Sequence, residues 1–162
     1  MTDKRALLDE LLRVLEAEYT TAVKAHATTQ AGATHEEAKP ENDKDTRALE
    51  ASYLARGQAA RVEELRAALA QASQVSVRAQ DGGPAALGAI VAADEESPDG
   101  DVREQRFYLA PGSGGATLAE GTVQVVTPAS PLGRALIGKR EGDECEVRVG
   151  TRVRTLTITS VR

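Results

Sequence analysis

Apolar side chains recur along the start of the chain at alternating steps of four and three: Leu8, Leu12, Leu15, Tyr19, Ala22 and His26, with Leu7 and Leu11 widening the stripe. This spacing puts them on one face of a helix. Reading back from Leu69, the positions Leu65, Val62, Gln58, Ala55, Ala51 and Ala48 keep the same steps, with Ala59 beside them, and predict a second helix with a matching seam. Gly32 is placed to end the first helix and Pro40 bars continuous helix, so the two fold back as an antiparallel hairpin whose turn falls between about 32 and 44. The seam repeats every three and a half residues, the period of a coiled coil. A first helix of about 28 residues is roughly 40 Å long. Toward residues 25–31 the seam thins to Ala, Thr and Gln, so that end buries little.

The pattern changes near residue 74. Residues 1–74 hold two of the 14 glycines and one of the six prolines, and the remainder reads as short strands joined by turns. Alternating or apolar runs predict strands at Val75–Ala79, Leu87–Asp94, Gln105–Ala110, Thr122–Thr127, Cys145–Val149 and Val153–Val161 of a small antiparallel sheet. Gly150-Thr151 suits a two-residue hairpin. One short helix interrupts the strands: Ser130 is its N-cap, Pro131 its first residue, Ala135, Leu136 and Ile137 its apolar face, and Gly138 its end. Ile137 is expected in the core rather than at a contact surface. The fold class is therefore α+β, with an N-terminal antiparallel α-helical coiled-coil hairpin over 1–74 and a small antiparallel β-sheet domain with one short helix over 75–162.

Composition narrows the function classes. With one Phe, three Tyr, one Met and no Trp among 162 residues, no large core can form. Ala85–Ala93, the longest mostly apolar uncharged stretch, is half a membrane span, and no signal-peptide h-region follows Met1; a soluble, cytoplasmic protein without a membrane partner is expected. Cys145 cannot make an internal disulfide, and with His26 and His35 alone beside it there is no structural zinc set. Cys145, on an alternating strand with Val147 and Val149, reads as a small buried hydrophobe. His26 reads as a seam residue. The net charge of −5 argues against direct binding of duplex DNA.

The most informative polar cluster lies between the two helices. From Glu36 to Glu50 the chain places Glu36, Glu37, Glu41, Asp43, Asp45 and Glu50 against Lys39, Lys44 and Arg47, six acids to three bases and a local charge of −3. Such carboxylates can supply oxygen ligands to Mg²⁺; they equally suit a solvated loop with acids near a helix N-terminus. An EF-hand reading fails, since Ala48 replaces the required glycine and Leu54 the bidentate Glu. Gly112-Ser113-Gly114-Gly115 lacks the Lys and Ser/Thr of a phosphate loop and is expected to be a flexible connection.

The stretch Ser130-Pro131-Leu132-Gly133-Arg134-Ala135-Leu136-Ile137-Gly138-Lys139-Arg140-Glu141-Gly142-Asp143-Glu144-Cys145-Glu146-Val147 resembles the C-terminal signature of the bacterial Gre transcript-cleavage factors. The resemblance implies an FKBP-like second domain that docks on RNA polymerase at its secondary channel. Ser130, Pro131, Leu132 and Arg134 are the partner-binding residues it points to. It further implies that the coiled coil carries two acids to the polymerase active centre, where they help hold a second Mg²⁺ and reach the 3′ end of backtracked RNA only indirectly. On that view the protein is an accessory factor and no enzyme itself. The Mg²⁺ is shared with the polymerase and not tightly bound by the free protein. A prolyl isomerase, the other activity an FKBP-like fold suggests, needs an aromatic-lined pocket, and residues 75–162 offer only Phe107 and Tyr108.

The family's tip reads Gly-Asp-Leu, any residue, Glu-Asn-Ala-Glu-Tyr. Here Glu41-Asn42 resembles its middle and Tyr53-Leu54-Ala55-Arg56-Gly57-Gln58 its tail, but the interval between them is longer by eight residues. Anchoring on Tyr53 puts Thr46 and Leu49 at the acid positions; anchoring on Glu41 puts Ala38 at the other. By neighbourhood, Asp43 and Asp45 with Glu41 are the candidate catalytic acids, and Asp43 and Asp45 the candidate metal ligands. Two readings stand: a cleavage factor, or a regulator that occupies the same channel without stimulating cleavage.

Overall fold

The computed structural model describes residues 3–34, 47–77, 82–96 and 100–162. Two long helices, α1 (Lys4–Thr34) and α2 (Arg47–Ala72), pair antiparallel, as the matched seams predict. An interhelical ion pair, Arg61 to Glu18 at 2.9 Å, runs beside the seam. Gly32 does not end α1, which continues to Thr34. A Cβ at Gly32 would meet nothing, and one exposed glycine costs a helix only about 1 kcal/mol. The hairpin's turn therefore begins later than 32, and the expected acidic tip lies outside the described residues.

The rest of the chain forms β1 (Ile90–Glu96), β2 (Val102–Leu109), β3 (Thr117–Leu118), β4 (Val123–Val126), α3 (Pro131–Leu136), β5 (Glu144–Val149) and β6 (Arg152–Val161). The strands make one sheet in the order β3-β4-β2-β1-β6-β5. Four pairings are antiparallel, as expected, but β2 and β4 run parallel, so the sheet is mixed. The cause is β3, two residues long and unforeseen. It takes the edge as partner of β4, and β4 then returns beside β2 in the same direction through a connection of the length a parallel pair needs. The run at Val75–Ala79 is not a strand over 75–77, and Ala79 lies outside the described residues. Val75 instead packs against Gly88, where a Cβ would lie 2.3 Å from its Cγ1.

Alternation along the strands splits the interior into two cores. On one face Phe107, Leu109, Val91, Ala93, Val126, Cys145, Val147, Leu156 and Ile158 meet Leu136 of α3. On the other, Tyr108, Ile90, Leu118, Val123 and Val125 meet the base of the hairpin through Leu7, Leu8, Leu11, Leu15, Leu65, Ala68 and Ala72. Neighbouring residues of β2 thus serve opposite cores, and the hairpin base is part of the sheet's interior. Beyond Leu15 and Val62 the seam is only partly buried, through Tyr19, Ala22, His26, Ala51, Ala55 and Gln58, so its thinning follows the sequence. No helix among the described residues is long and apolar enough to cross a membrane.

Leu65, 2% exposed within the hairpin base, tests this joint burial. Leu65→Asp puts a carboxylate there without a partner and is expected to cost about 3 kcal/mol or more, seen as loss of far-UV helical signal and a melting point lower by roughly 10 °C. Leu54→Asp, at a position 56% exposed on the same helix, should leave melting nearly unchanged.

Candidate functional site

Two surfaces carry the candidate residues. The first is α3 and its flanks. Ser130 holds an extended backbone (φ −70°, ψ 156°), and its Oγ accepts from the Gly133 N–H at 3.0 Å while donating to the Thr127 carbonyl at 2.8 Å. Pro131 follows at the first helical position, where its missing N–H is no loss. Gly133 is demanded by packing: a Cβ there would lie 1.9 Å from the Thr127 carbonyl oxygen and 3.1 Å from Pro128 Cα. Gly138 ends the helix at φ 79°, a left-handed conformation that favours glycine. Its N–H donates to the Ala85 carbonyl, and the Ala85 N–H donates to the Lys139 carbonyl, both at 2.7 Å.

The four partner-binding candidates divide under this geometry. Ser130 is half-buried with its hydroxyl engaged at both ends, so it shapes the helix. Leu132 is half-buried beside the core that Leu136 fills, while Pro131 and Arg134 are exposed, the Arg134 guanidinium donating to the Ala129 carbonyl. Ile137, expected in the core, is 40% exposed: α3 stops at Leu136, and the chain turns before Ile137 can point inward. Leu87 is likewise an exposed large apolar side chain.

The second surface is the far end of the hairpin. Glu41, Asp43, Asp45 and His35 lie outside the described residues, so the structure assigns them no geometry. The start of α2 beside them is described. Glu50 is exposed in its first turn, where a carboxylate is favoured by the helix dipole. Leu49, Tyr53 and Leu54 are exposed, and the Arg56 guanidinium stands 5.9 Å from the centre of the Tyr53 ring. In chemistry the donor set suits Mg²⁺: three carboxylates within five residues, all hard oxygen ligands. Among the described residues no group of three or more His, Cys, Asp or Glu gathers that could hold a metal ion. His26 is a half-buried seam residue, its Nδ1 without a hydrogen-bond partner.

Elsewhere the electrostatics serve the fold. Burial pushes the Cys145 thiol up, which suits an inert core side chain. The Arg154 guanidinium makes a two-pronged bond to Glu95 across β1 and β6, its second arm at 2.7 Å, and lowers the Glu95 carboxyl below its ordinary value. Gly112-Ser113-Gly114-Gly115 is a packing loop and no loose connection. A Cβ at Gly112 would come within 2.8 Å of Ala68 Cβ and 3.0 Å of Leu15 Cδ2, so the glycine lets the loop lie against the helix seam. The groove beside it, about 590 Å³, is lined by Glu18 and Glu64 as well as Arg61, which gives a phosphate no net attraction. Sequence reasoning missed Gly112 and Tyr108 as structural keys. No periodicity marks a glycine required by another element's approach.

A family model described as "Transcription elongation factor, GreA/GreB, C-term" matches residues 111–162, the segment that holds β3, β4, α3, β5 and β6. Over this segment the chain is similar to that family. The transcription elongation factor GreA of Syntrophobacter fumaroxidans is 33% identical over 102 residues, 63% of this chain and 61% of the relative. That of Brucella canis is 36% identical over 107 residues, 66% of this chain and 62% of the relative. The chain thus spans about three fifths of the length of the curated relatives it matches. Among solved structures, the GreA factor homolog 1 of Thermus thermophilus aligns over 97% of this chain and 95% of its own, at 21% identity and a TM-score of 0.40. GreA/GreB from Nitrosomonas europaea aligns over 62% and 78%, at 20% identity and a TM-score of 0.37.

Gly133 gives this surface a sharp test. Gly133→Ala should cost about 3 kcal/mol by overpacking α3 against Thr127, read as a lower urea midpoint. Gly57→Ala, in α2 with open space around it, should instead stabilise the fold by up to about 1 kcal/mol.

Proposed function

We propose that this chain is a bacterial transcription elongation factor that binds RNA polymerase at its secondary channel and stimulates cleavage of backtracked RNA. The observation that carries the reading is the match of residues 111–162 to the GreA/GreB C-terminal family, with α3 at its centre. Pro131, Leu132 and Arg134 dock on the polymerase from α3, and Ser130 fixes the helix that presents them. The hairpin is the reach: α1 alone, at 31 residues, spans about 46 Å, and its seam is too thin toward the far end to serve as an interface core. Glu41, Asp43 and Asp45 supply charge at that end, with Asp43 and Asp45 as ligands of a Mg²⁺ that the polymerase shares. Such an ion, when bound, stabilises the attacking and leaving oxygens of a phosphoryl transfer. The chain's own acids would hold the ion; bond cleavage belongs to the polymerase, so the protein is an accessory factor working in the cytoplasm. It meets the RNA 3′ end only through the enzyme and needs no duplex DNA contact.

One observation favours a second reading, a secondary-channel regulator that does not stimulate cleavage: the interval from Glu41 to Tyr53 is longer than the family's by eight residues and sets the acids out of register. An assay on stalled, backtracked polymerase with Mg²⁺ separates the two. Asp43→Asn, Asp45→Asn and the double variant are compared with the parent for release of short 3′ RNA fragments and for competition binding. The cleavage reading expects the double variant to fall to the factor-free rate with affinity within about twofold of the parent, since asparagine keeps size and loses charge. If the double variant cleaves as fast as the parent, these aspartates are solubility residues. A parent that binds and never stimulates cleavage makes the protein the regulator.

A further inference from the structure

Glu10 lies on the second turn of α1, and its carboxylate accepts a hydrogen bond from the Ala119 N–H, 109 residues away, at 3.0 Å. The peptide it holds belongs to an unusual turn. Ala119, Glu120 and Gly121 stand consecutively in the left-handed region, at φ 51°, 56° and 86°, and the first two carry side chains that normally exclude it. Thr122 closes the same turn, its N–H donating to the Ala119 carbonyl at 3.2 Å and its hydroxyl at 2.8 Å. Just before the turn, Leu118 is wholly buried in the core that the hairpin base shares with the sheet.

Apolar packing has little directional preference, so a helix resting on Leu118, Val123, Val125 and Tyr108 can tilt with small change in buried area. A hydrogen bond weakens steeply as its angle opens, so a carboxylate fixed on α1 and an amide fixed by a turn hold a direction that the leucines do not. We propose that Glu10 is a positioning residue: its bond to the Ala119 amide sets the tilt of the hairpin on the sheet, and with it the place of the hairpin's far end relative to α3. Over the twenty residues from Glu10 to Gln30, about 30 Å of helix, a change of roughly 10° moves the far end by about 5 Å. The benefit to delivery of the tip rests on the polymerase reading above, whereas the tilt itself does not.

The test uses the full chain free in solution. In a Cys145→Ala background, Gln30→Cys and Thr155→Cys, both at exposed positions, carry nitroxide labels for pulsed electron paramagnetic resonance. Glu10→Ala should shift the mean distance by about 3 Å or broaden the distribution correspondingly. Glu10→Gln, whose amide oxygen still accepts, should keep the parent distribution. Glu10→Asp, one methylene too short to reach, should behave as the alanine variant does and stands in for it if that variant folds poorly. Parent-like distances in both the Ala and Asp variants overturn the proposal. A Gln variant displaced as far as the Ala variant also overturns it, because charge and not the amide bond would then fix the tilt. A shifted distance beside a protein without effect on polymerase sinks only the functional reading, and an unshifted distance in an active cleavage factor sinks only the positioning role.

Discussion

Tyr108 is the point on which both halves of the molecule bear. It is the largest wholly buried side chain, it stands on β2 between Phe107 and Leu109, and those neighbours turn to the opposite core. The hairpin base seals Tyr108 from water together with Leu118, Val123 and Val125, so the sheet is closed on that face only while α1 and α2 are in place. The seal is apolar to the point of cost. The Tyr108 hydroxyl is buried without a hydrogen-bond partner, and burial pushes its pKa up to about 12. Stability from this group is complete below the ordinary tyrosine pKa near 10 and is lost as pH rises toward the folded value, where ionisation would drive the ring toward water.

This shared core changes what the division into a helical part and a sheet part means. Removing residues 1–74 would expose Tyr108, Leu118, Val123 and Val125 together, an apolar patch of the kind that drives association. The sheet domain depends on the rod it carries. The rod in turn has a firm root, from Leu7 to Leu15 and from Val62 to Ala72, and a lean far half. That gradient suits a device anchored at one end and working at the other.

Much of this was legible in the sequence. The stripes of Leu8 to His26 and Ala48 to Leu69 gave the hairpin, and Ser130, Pro131 and Gly138 gave α3, because helix faces and caps are local properties. Period-two alternation gave most strands. What escaped was set by distant contacts. β3 is two residues long and has no period, and the parallel pairing of β2 with β4 follows from its place at the edge. Gly112 and Gly133 are glycines because another backbone or side chain comes close, which no neighbour in sequence announces. Ile137 continued an apolar run past the point where α3 ends. The candidate acids were found by charge density and resemblance, signals that name a neighbourhood and not a geometry.

Native-state hydrogen exchange read residue by residue tests the common core most directly. If the hairpin root and the sheet close over one interior, the most protected amides of Leu11–Leu15 in α1 and of Phe107–Leu109 in β2 exchange only through the same global opening, with equal free energies and equal denaturant dependence. A separate, cheaper opening that releases the α1 amides while those of β2 stay protected would contradict it, because the hairpin would then be an appendage and not a wall of the core.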